Sequence, residues 1–229
     1  MISRAYWAMT AAIFMATTVM LATYTPVEPT MGPTQKIFYL HAPAAINMLL
    51  ACLTVFIASI GYLWRRQWWW DDLAAAAANV AVLLAGVVLL TGMLWGRSVW
   101  GAWWVWSPRL TFSLVLMALY GAYLVTRASI ASPDRRAGTA AVYGIIAFLD
   151  VPLVYLSAKL TSDVHRASLT LAGPMKLTLL LWLLAVTLIS AGLIMARFRL
   201  NRHGRLARQR AQNLSRTDVT TPLAEGAAA

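Results

Sequence analysis

The sequence predicts an all-α integral membrane protein with six transmembrane helices, and two observations carry this prediction. Hydrophobic residues make up 60% of the 229 residues and charged residues only 12%, whereas ordinary soluble domains contain about 25% charged residues. A chain this apolar cannot cover itself with polar surface in water, so lipid is its expected solvent. In addition, six stretches reach the roughly 20 mainly apolar residues that a helix needs to cross a bilayer. These stretches are 5–23, 42–63, 73–94, 110–126, 139–156 and 175–195.

The basic residues are divided unequally between the two ends of these spans. Thirteen lysines and arginines fall on the side of the two chain ends, and six fall on the opposite side. The positive-inside rule therefore places both termini in the cytoplasm, and the connections 24–40, 95–109 and 157–174 face outward. The net charge of +11 is concentrated in short connections and in the tail. This pattern is typical of topology signals and does not indicate binding to nucleic acid.

The same pattern divides the chain into two parts. Residues 1–196 form a predicted six-span membrane domain, and residues 197–229 form a basic cytoplasmic tail that extends the last helix and becomes disordered over 221–229.

The first span is too long for the apolar region of a signal peptide and lacks an A-x-A cleavage pattern, so we expect it to be retained. The single cysteine, Cys52, excludes an internal disulfide, and no C-x-x-C-H motif is present for covalent attachment of haem.

The second outward connection is unusually rich in tryptophan. Five tryptophans fall within twelve residues, namely Trp95, Trp100, Trp103, Trp104 and Trp106. An interfacial aromatic belt is the alternative, but five rings in one connection favour a binding platform. Trp100, Trp103 and Trp104 have the spacing of one helical face, which predicts an amphipathic helix on the outer surface with an apolar face the size of a planar macrocycle. Gly96 and Gly101 would let a large ligand approach the backbone closely.

Two of the three histidines lie on the predicted outer side. His41 stands at the start of the second span, where Pro43 suits the first turn of the helix, and His165 lies in the third outward connection. Two imidazoles on one face of the membrane could ligate iron from opposite sides of a porphyrin. For either histidine alone, the alternative to iron ligation is an ordinary polar residue at the membrane interface.

Cations on the same side could pair with the two propionates of a haem. Lys36, Arg97 and Arg109 are available there, and arginine binds carboxylates bidentately. Contact with lipid headgroups is the alternative.

Inside the fifth span, Asp150 precedes Pro152, which predicts a bend in that helix and a buried acid with a structural or functional role.

The run W-G-R-S-V-W-G-A-W-W-V-W-S-P-R-L-T over residues 95–111 resembles the tryptophan-rich WWD signature of haem-handling membrane proteins. This run, the motif F-Y-L-H-A-P-A-A at 38–45 and the six spans make the chain similar to the cytochrome c maturation protein C (CcmC) family over about residues 35–195. The resemblance implies that haem b is bound at the outer face of the bacterial inner membrane, between the signature and two axial histidines. His41 matches the family's position in its motif, and His165 is assigned by its place in the last outer connection.

The resemblance also implies partners and excludes catalysis. Family members deliver haem to a periplasmic chaperone, CcmE, and cooperate with the ATP-binding cassette subunits CcmA and CcmB and with the small subunit CcmD. We therefore expect a delivery protein that is not an enzyme, because any bond forms on the acceptor.

In one place the sequence departs from the family pattern. Ser107 and Pro108 follow the last tryptophan, where the family carries an acidic residue, so a negative charge beside Arg109 is lost. Ser107 can still cap the next helix and Pro108 fits its first position. The segment before His165 also lacks the tryptophan pair of the family.

Other functions remain as alternatives. A b-type electron carrier would place histidine pairs inside the spans, and none of the six spans has an interior histidine. A small-solute transporter would bury polar groups near the midplane, for which Asp150 and Pro152 are the only indication. A related haem lyase that attaches haem directly would be longer.

Overall fold

The computed structural model describes residues 3–160 and 171–220 and shows a bundle of helices. The helices are α1 (Arg4–Thr23), α2 (Phe38–Arg65), α3 (Trp68–Trp100), α4 (Pro108–Ser129), α5 (Pro133–Ala147), α6 (Asp150–Leu160) and α7 (Gly173–Thr220), and a short 3-10 helix (Pro33–Ile37) precedes α2. Six of these segments are long and apolar enough to cross a bilayer, with α5 and α6 together forming the fifth. The prediction of an all-α chain with six apolar spans is confirmed.

The antiparallel pair α2 and α3 forms the centre of the bundle and has its most extensive helix–helix contact. Arg66 ends α2 in the left-handed conformation, with φ at 52°, and α3 begins two residues later. Alanines on both helices are buried in the shared core, including Ala51 and Ala58 on α2 and Ala77 and Ala81 on α3. Small side chains let the two backbones approach closely, which is how helices associate when both are surrounded by lipid.

The second span begins earlier than predicted. α2 starts at Phe38, directly after the 3-10 helix, so His41 lies in its first turn and Pro43 lies inside the helix. The prediction placed the start of this span at residue 42, because proline favours the first position of a helix. Pro43 is tolerated here one turn further in, where it lacks only the N–H that would bond to the Tyr39 carbonyl.

The fifth span is interrupted where its sequence contains an acid and a proline. α5 ends at Ala147, α6 begins at Asp150, and the turn between them is closed by bonds from Leu149 N to Ile146 O and from Val151 N to Phe148 O. The predicted bend is therefore a break. Asp150 is 5% exposed, and its Oδ2 atom has no hydrogen-bond partner among the described residues. A hydrogen bond donated to that oxygen by a described residue is therefore not what holds the break.

The last helix is continuous far beyond the length of a membrane span. α7 contains 48 residues and is about 72 Å long at 1.5 Å per residue. The boundary predicted between residues 196 and 197 lies inside this helix. Asn201 and Arg205 bind Asp72 at the start of α3, which fixes the extension against the bundle. Residues 221–229, predicted to be disordered, lie outside the described residues.

The outer surface of the spans is apolar, as contact with lipid requires. Leu83, Leu90, Val125 and Leu180 are each more than half exposed although they lie within membrane-spanning helices. Apolar surface of this extent is rare on soluble monomers. The peripheral helix α1 packs mainly on α7, where Tyr6 Oη donates to the Leu188 carbonyl.

We predict that Gly61→Ala destabilises the α2–α3 pair. A Cβ atom at Gly61 would lie 2.6 Å from two ring carbons of Trp70, and overpacking of this kind costs about 1–3 kcal/mol. The melting temperature of the purified protein in detergent should therefore fall. Gly86→Ala on α3 is the matched control, since a Cβ there meets nothing within 4 Å. An equal melting temperature for both variants would contradict this description of the packing.

Candidate functional site

His41 is held by a hydrogen bond to the neighbouring helix α3. Its Nδ1 atom lies 2.9 Å from Thr91 Oγ1, and that hydroxyl lies 2.6 Å from the Val87 carbonyl one turn earlier on α3. A threonine hydroxyl has one proton to donate, and the Val87 carbonyl accepts it. Thr91 Oγ1 therefore accepts from Nδ1–H, and the neutral imidazole presents Nε2 as its basic nitrogen.

Aromatic rings and a glycine complete the surroundings of the imidazole. The ring of Trp95 packs edge-on against His41 with centroids 5.9 Å apart, and Phe38 packs edge-on against the other side of Trp95 at 6.0 Å. A Cβ atom at Gly92 would lie 3.3 Å from His41 Cε1, so only glycine leaves the ring its present space. Position and orientation of the ring are thus set by α3.

Sequence reasoning missed both Thr91 and Gly92. The sequence shows only a threonine followed by a glycine near the end of an apolar span. Whether these residues face His41 depends on the register between α2 and α3, which the periodicity of hydrophobic residues does not give.

A partly open cavity lies beside His41, with about 600 Å³ of empty space that includes open solvent. Its wall is mainly apolar and includes Met48 and Leu49 of α2, Val88 and Met93 of α3, and Val154 of α6. Its polar groups come from four residues, His41, Trp104, Arg109 and Ser113. Trp104 Nε1 is buried and has no hydrogen-bond partner among the described residues. An apolar wall with a few converging polar groups is typical of a site for a small organic ligand.

Residues 101–107 of the tryptophan-rich connection are not helical, so the prediction of one helix that carries Trp100, Trp103 and Trp104 on a single face is wrong. α3 continues through Trp95 and ends at Trp100, Gly101 adopts φ of 75° as the cap, and α4 begins at Pro108. A glycine in the left-handed conformation ends a helix, so Trp103 and Trp104 leave the helical path that would have placed them on one face with Trp100.

The five rings therefore do not form one flat platform, because Trp95 packs against His41 and Trp104 lines the cavity. Trp104 and Trp106 pack edge-on with centroids 5.7 Å apart, while Trp100, Trp103 and Trp106 are 36%, 54% and 75% exposed. The predicted opening at Gly96 is filled, because a Cβ there would lie 3.0 Å from the ring of Trp100. The exposed rings remain available to a flat ligand or to lipid.

The three predicted cations lie in different surroundings. Arg109 lines the cavity together with His41. Arg97 donates to the Gly101 carbonyl and lies 5.9 Å from the ring centroid of Trp103. Lys36 Nζ donates to the Leu21 carbonyl at 2.8 Å and so caps the end of α1. Of the three, the structure brings only Arg109 to the cavity.

The substituted position after the last tryptophan retains its capping function. Ser107 Oγ accepts a hydrogen bond from Leu110 N, and Pro108 occupies the first turn of α4. The prediction that the helix start survives the loss of the acidic residue is confirmed. Arg109 is thereby held at the first turn of α4, beside the cavity.

His165 lies outside the described residues, but the chain on both sides of it is described. Val154 of α6 lines the cavity. Met175 and Leu171, where the chain resumes, pack in one cluster with Tyr39 and Leu40 of α2. Described residues on either side of 161–170 therefore pack in the part of the bundle that contains His41.

Comparison with known proteins gives a consistent result. A family model described as "Heme exporter protein C" matches residues 1–217. Relatives named heme exporter protein C include one from Rhodobacter capsulatus, 35% identical over 54% of this chain and 51% of its own length, and one from Escherichia coli K12, 32% identical over 63% and 59%.

A third relative of the same name, from Haemophilus influenzae, is 27% identical over 77% of this chain and 75% of its own length. The first two alignments span about half of the curated relatives that the chain matches. Because the family model covers nearly all of the sequence, the chain belongs to the heme exporter protein C family.

Proposed function

We propose that this multi-pass membrane protein binds haem b as cargo at the His41 end of the bundle and passes it to an acceptor for c-type cytochrome maturation. The observation that carries the proposal is the hydrogen bond from His41 Nδ1 to Thr91, which favours Nε2 as the nitrogen that would bind the iron. A ligating histidine characteristically has its second ring nitrogen held in this way. The name of the relatives, heme exporter protein C, supports the same cargo.

The residues around the cavity have the chemistry that a haem requires. The apolar wall suits the macrocycle, and the exposed rings of Trp100, Trp103 and Trp106 offer stacking surfaces at its rim. The Trp104 indole N–H and the Arg109 guanidinium are donors suited to propionate carboxylates. Burying the Trp104 N–H without a partner costs free energy, and a bound carboxylate would remove that cost.

His165 supplies the second axial ligand in this proposal. Support comes from the attachment of both flanking segments to the His41 end of the bundle. Lys36 and Arg97 bind backbone carbonyl groups and are not among the residues that line the cavity. Arg109 is therefore the main propionate-binding cation.

The direction of transfer follows from the charge distribution. Thirteen of the 19 basic residues lie with the chain ends, at the end of the bundle opposite His41, so the positive-inside rule places His41 at the outer face of the bacterial inner membrane. An acceptor there would be a chaperone like CcmE, with subunits like CcmA, CcmB and CcmD as partners. The chain itself performs no hydrolysis in this proposal.

We predict that His41→Ala and His165→Ala each change the optical spectrum of haem bound to the purified protein, because each removes an axial ligand. His203→Ala is the control, since that residue lies exposed on the distant part of α7. An unchanged Soret band in both test variants would refute the ligand assignment. Haem retained permanently and stoichiometrically after addition of the chaperone would instead indicate an electron carrier.

We predict that Thr91→Val lowers haem affinity by about tenfold or more, the usual effect of removing a group that orients a ligand. The substitution preserves shape but removes the acceptor for Nδ1–H. Thr54→Val is matched to it, because Thr54 also bonds to a backbone carbonyl one turn earlier but faces away from His41. Haem titration followed by absorbance distinguishes the two, and equal affinities would mean that Thr91 does not orient His41.

We predict that Trp104→Phe weakens haem retention because the aromatic surface remains but the N–H donor is lost. Removing one hydrogen bond to a charged group costs about 1.5–3 kcal/mol, which corresponds to roughly tenfold or more in affinity. Trp64→Phe is the control, because Trp64 is 78% exposed at the opposite end of α2. Retention equal to wild type on size-exclusion chromatography would show that the indole N–H does not contact haem.

A further inference from the structure

A second cavity, rich in arginine, lies at the end of the bundle opposite His41. The cavity is partly open, with about 810 Å³ of empty space that includes open solvent, and α3, α4, α5 and α7 all contribute to its wall. The charged residues that line it are Asp71, Asp72, Arg127, Arg136, Arg197, Arg205 and Arg208. Five guanidinium groups thus face two carboxylates, which leaves an excess of three positive charges. No step of the proposed haem delivery uses this cavity.

The two carboxylates are already occupied by two of the arginines. Arg127 binds Asp71 through both guanidinium nitrogens, with the longer distance 2.9 Å, and Arg205 Nη2 lies 2.8 Å from Asp72 Oδ2. Both aspartate side chains are nearly buried, at 5% and 6% exposure. These pairs fix the frame of the cavity without neutralising the remaining cations.

The remaining arginines have donors to spare. Arg136 Nε is buried and has no hydrogen-bond partner among the described residues. Arg197 forms no ion pair with the described residues, and Arg208 bonds only the Gly204 carbonyl on its own helix. Like charges gathered in a partly enclosed space repel one another more strongly than in water. A bound anion would remove that repulsion and satisfy the buried donor.

We propose that this cavity binds the phosphate group of an anionic phospholipid. Arginine forks match the geometry of phosphate oxygens, and basic pockets between the cytoplasmic ends of membrane helices are suited to such headgroups. The cavity lies near the ends of α3, α4 and α5, and apolar side chains from the spans, Leu124 and Ala75 among them, form part of its wall. A lipid can therefore place its phosphate on the arginines while its chains stay beside the helices.

The site also accounts for the geometry of α7. Arg197, Asn201, Arg205 and Arg208 share one face of that helix and all line the cavity. A lipid phosphate held by Arg136 of α5 and Arg197 of α7 would link two helices that are not one of the extensively packed pairs of the bundle.

The test uses the full chain in detergent, without haem. Native mass spectrometry and thermal unfolding are recorded with added phosphatidylglycerol or cardiolipin, and with phosphatidylcholine for comparison. The double variant Arg136→Gln/Arg197→Gln should lose bound anionic lipid, with affinity lowered by about tenfold for each lost charged hydrogen bond. Its melting temperature should no longer rise when anionic lipid is added.

The matched control is Arg135→Gln/Arg202→Gln, which removes the same charge from exposed side chains on the same two helices. It should bind anionic lipid as wild type does. Equal loss in both double variants would show that only general surface charge matters and would overturn the proposal. If the glutamine variant does not fold, Arg136→Lys/Arg197→Lys replaces it, since it keeps the charge but loses bidentate binding; unchanged lipid affinity there would also overturn the proposal.

Two further additions separate the possible sources of the anion. Inorganic phosphate at matched concentration should stabilise wild type much less than the lipid, because it lacks the acyl chains. Equal stabilisation by free phosphate would assign the site to a soluble phosphate. Stabilisation by an added acidic peptide but not by lipid would assign it to a protein partner. Either result would overturn the proposal of a lipid ligand. Haem binding at the other end of the bundle is unaffected by all of these outcomes.

Discussion

The close antiparallel packing of α2 against α3 is the constraint on which the rest of the structure depends. Buried alanines on both helices bring the backbones together, and the turn at Arg66 fixes their register. His41 and Thr91 each lie 25 residues from Arg66, one before it and one after it. The same hairpin therefore sets the hydrogen bond that orients the imidazole and the contact between His41 and Trp95. A change of register by one residue would separate these groups.

Around this hairpin the two ends of the bundle differ in chemistry. One end has a mainly apolar cavity with a histidine, an unsatisfied indole N–H and one cation, and a rim of exposed tryptophans. The other end has five arginines around two buried aspartates. The first arrangement suits a large aromatic cargo with acidic side groups, and the second suits a phosphate at the membrane surface. The long helix α7 joins the two ends, since Met175 packs near Tyr39 and Arg205 binds Asp72.

Composition and apolar length were sufficient to predict the helices, because lipid imposes one requirement on every span. The resemblance of the tryptophan-rich run and the F-Y-L-H motif to a known family was also sufficient to predict that family. The conformation of residues 101–107 was not predicted. The tryptophans have helical spacing, but Gly101 ends the helix before Trp103 and Trp104. Thr91, Gly92 and the arginine-rich cavity could not be predicted, since each depends on which residues of distant helices face one another. Lys36 has the positive charge that a propionate requires and lies on the predicted outer side. Its amine nevertheless binds the end of α1 and does not reach the cavity.

The central claim is that His41 Nε2 binds the iron while Thr91 holds Nδ1, and the most direct measurement is an experimental density map of the haem-loaded protein in a lipid nanodisc. The account predicts haem density in the cavity beside His41, with the iron bonded to Nε2 and a propionate near Trp104 and Arg109. Density for haem at the arginine-rich end, or iron bonded through Nδ1 with the Thr91 contact broken, would contradict it.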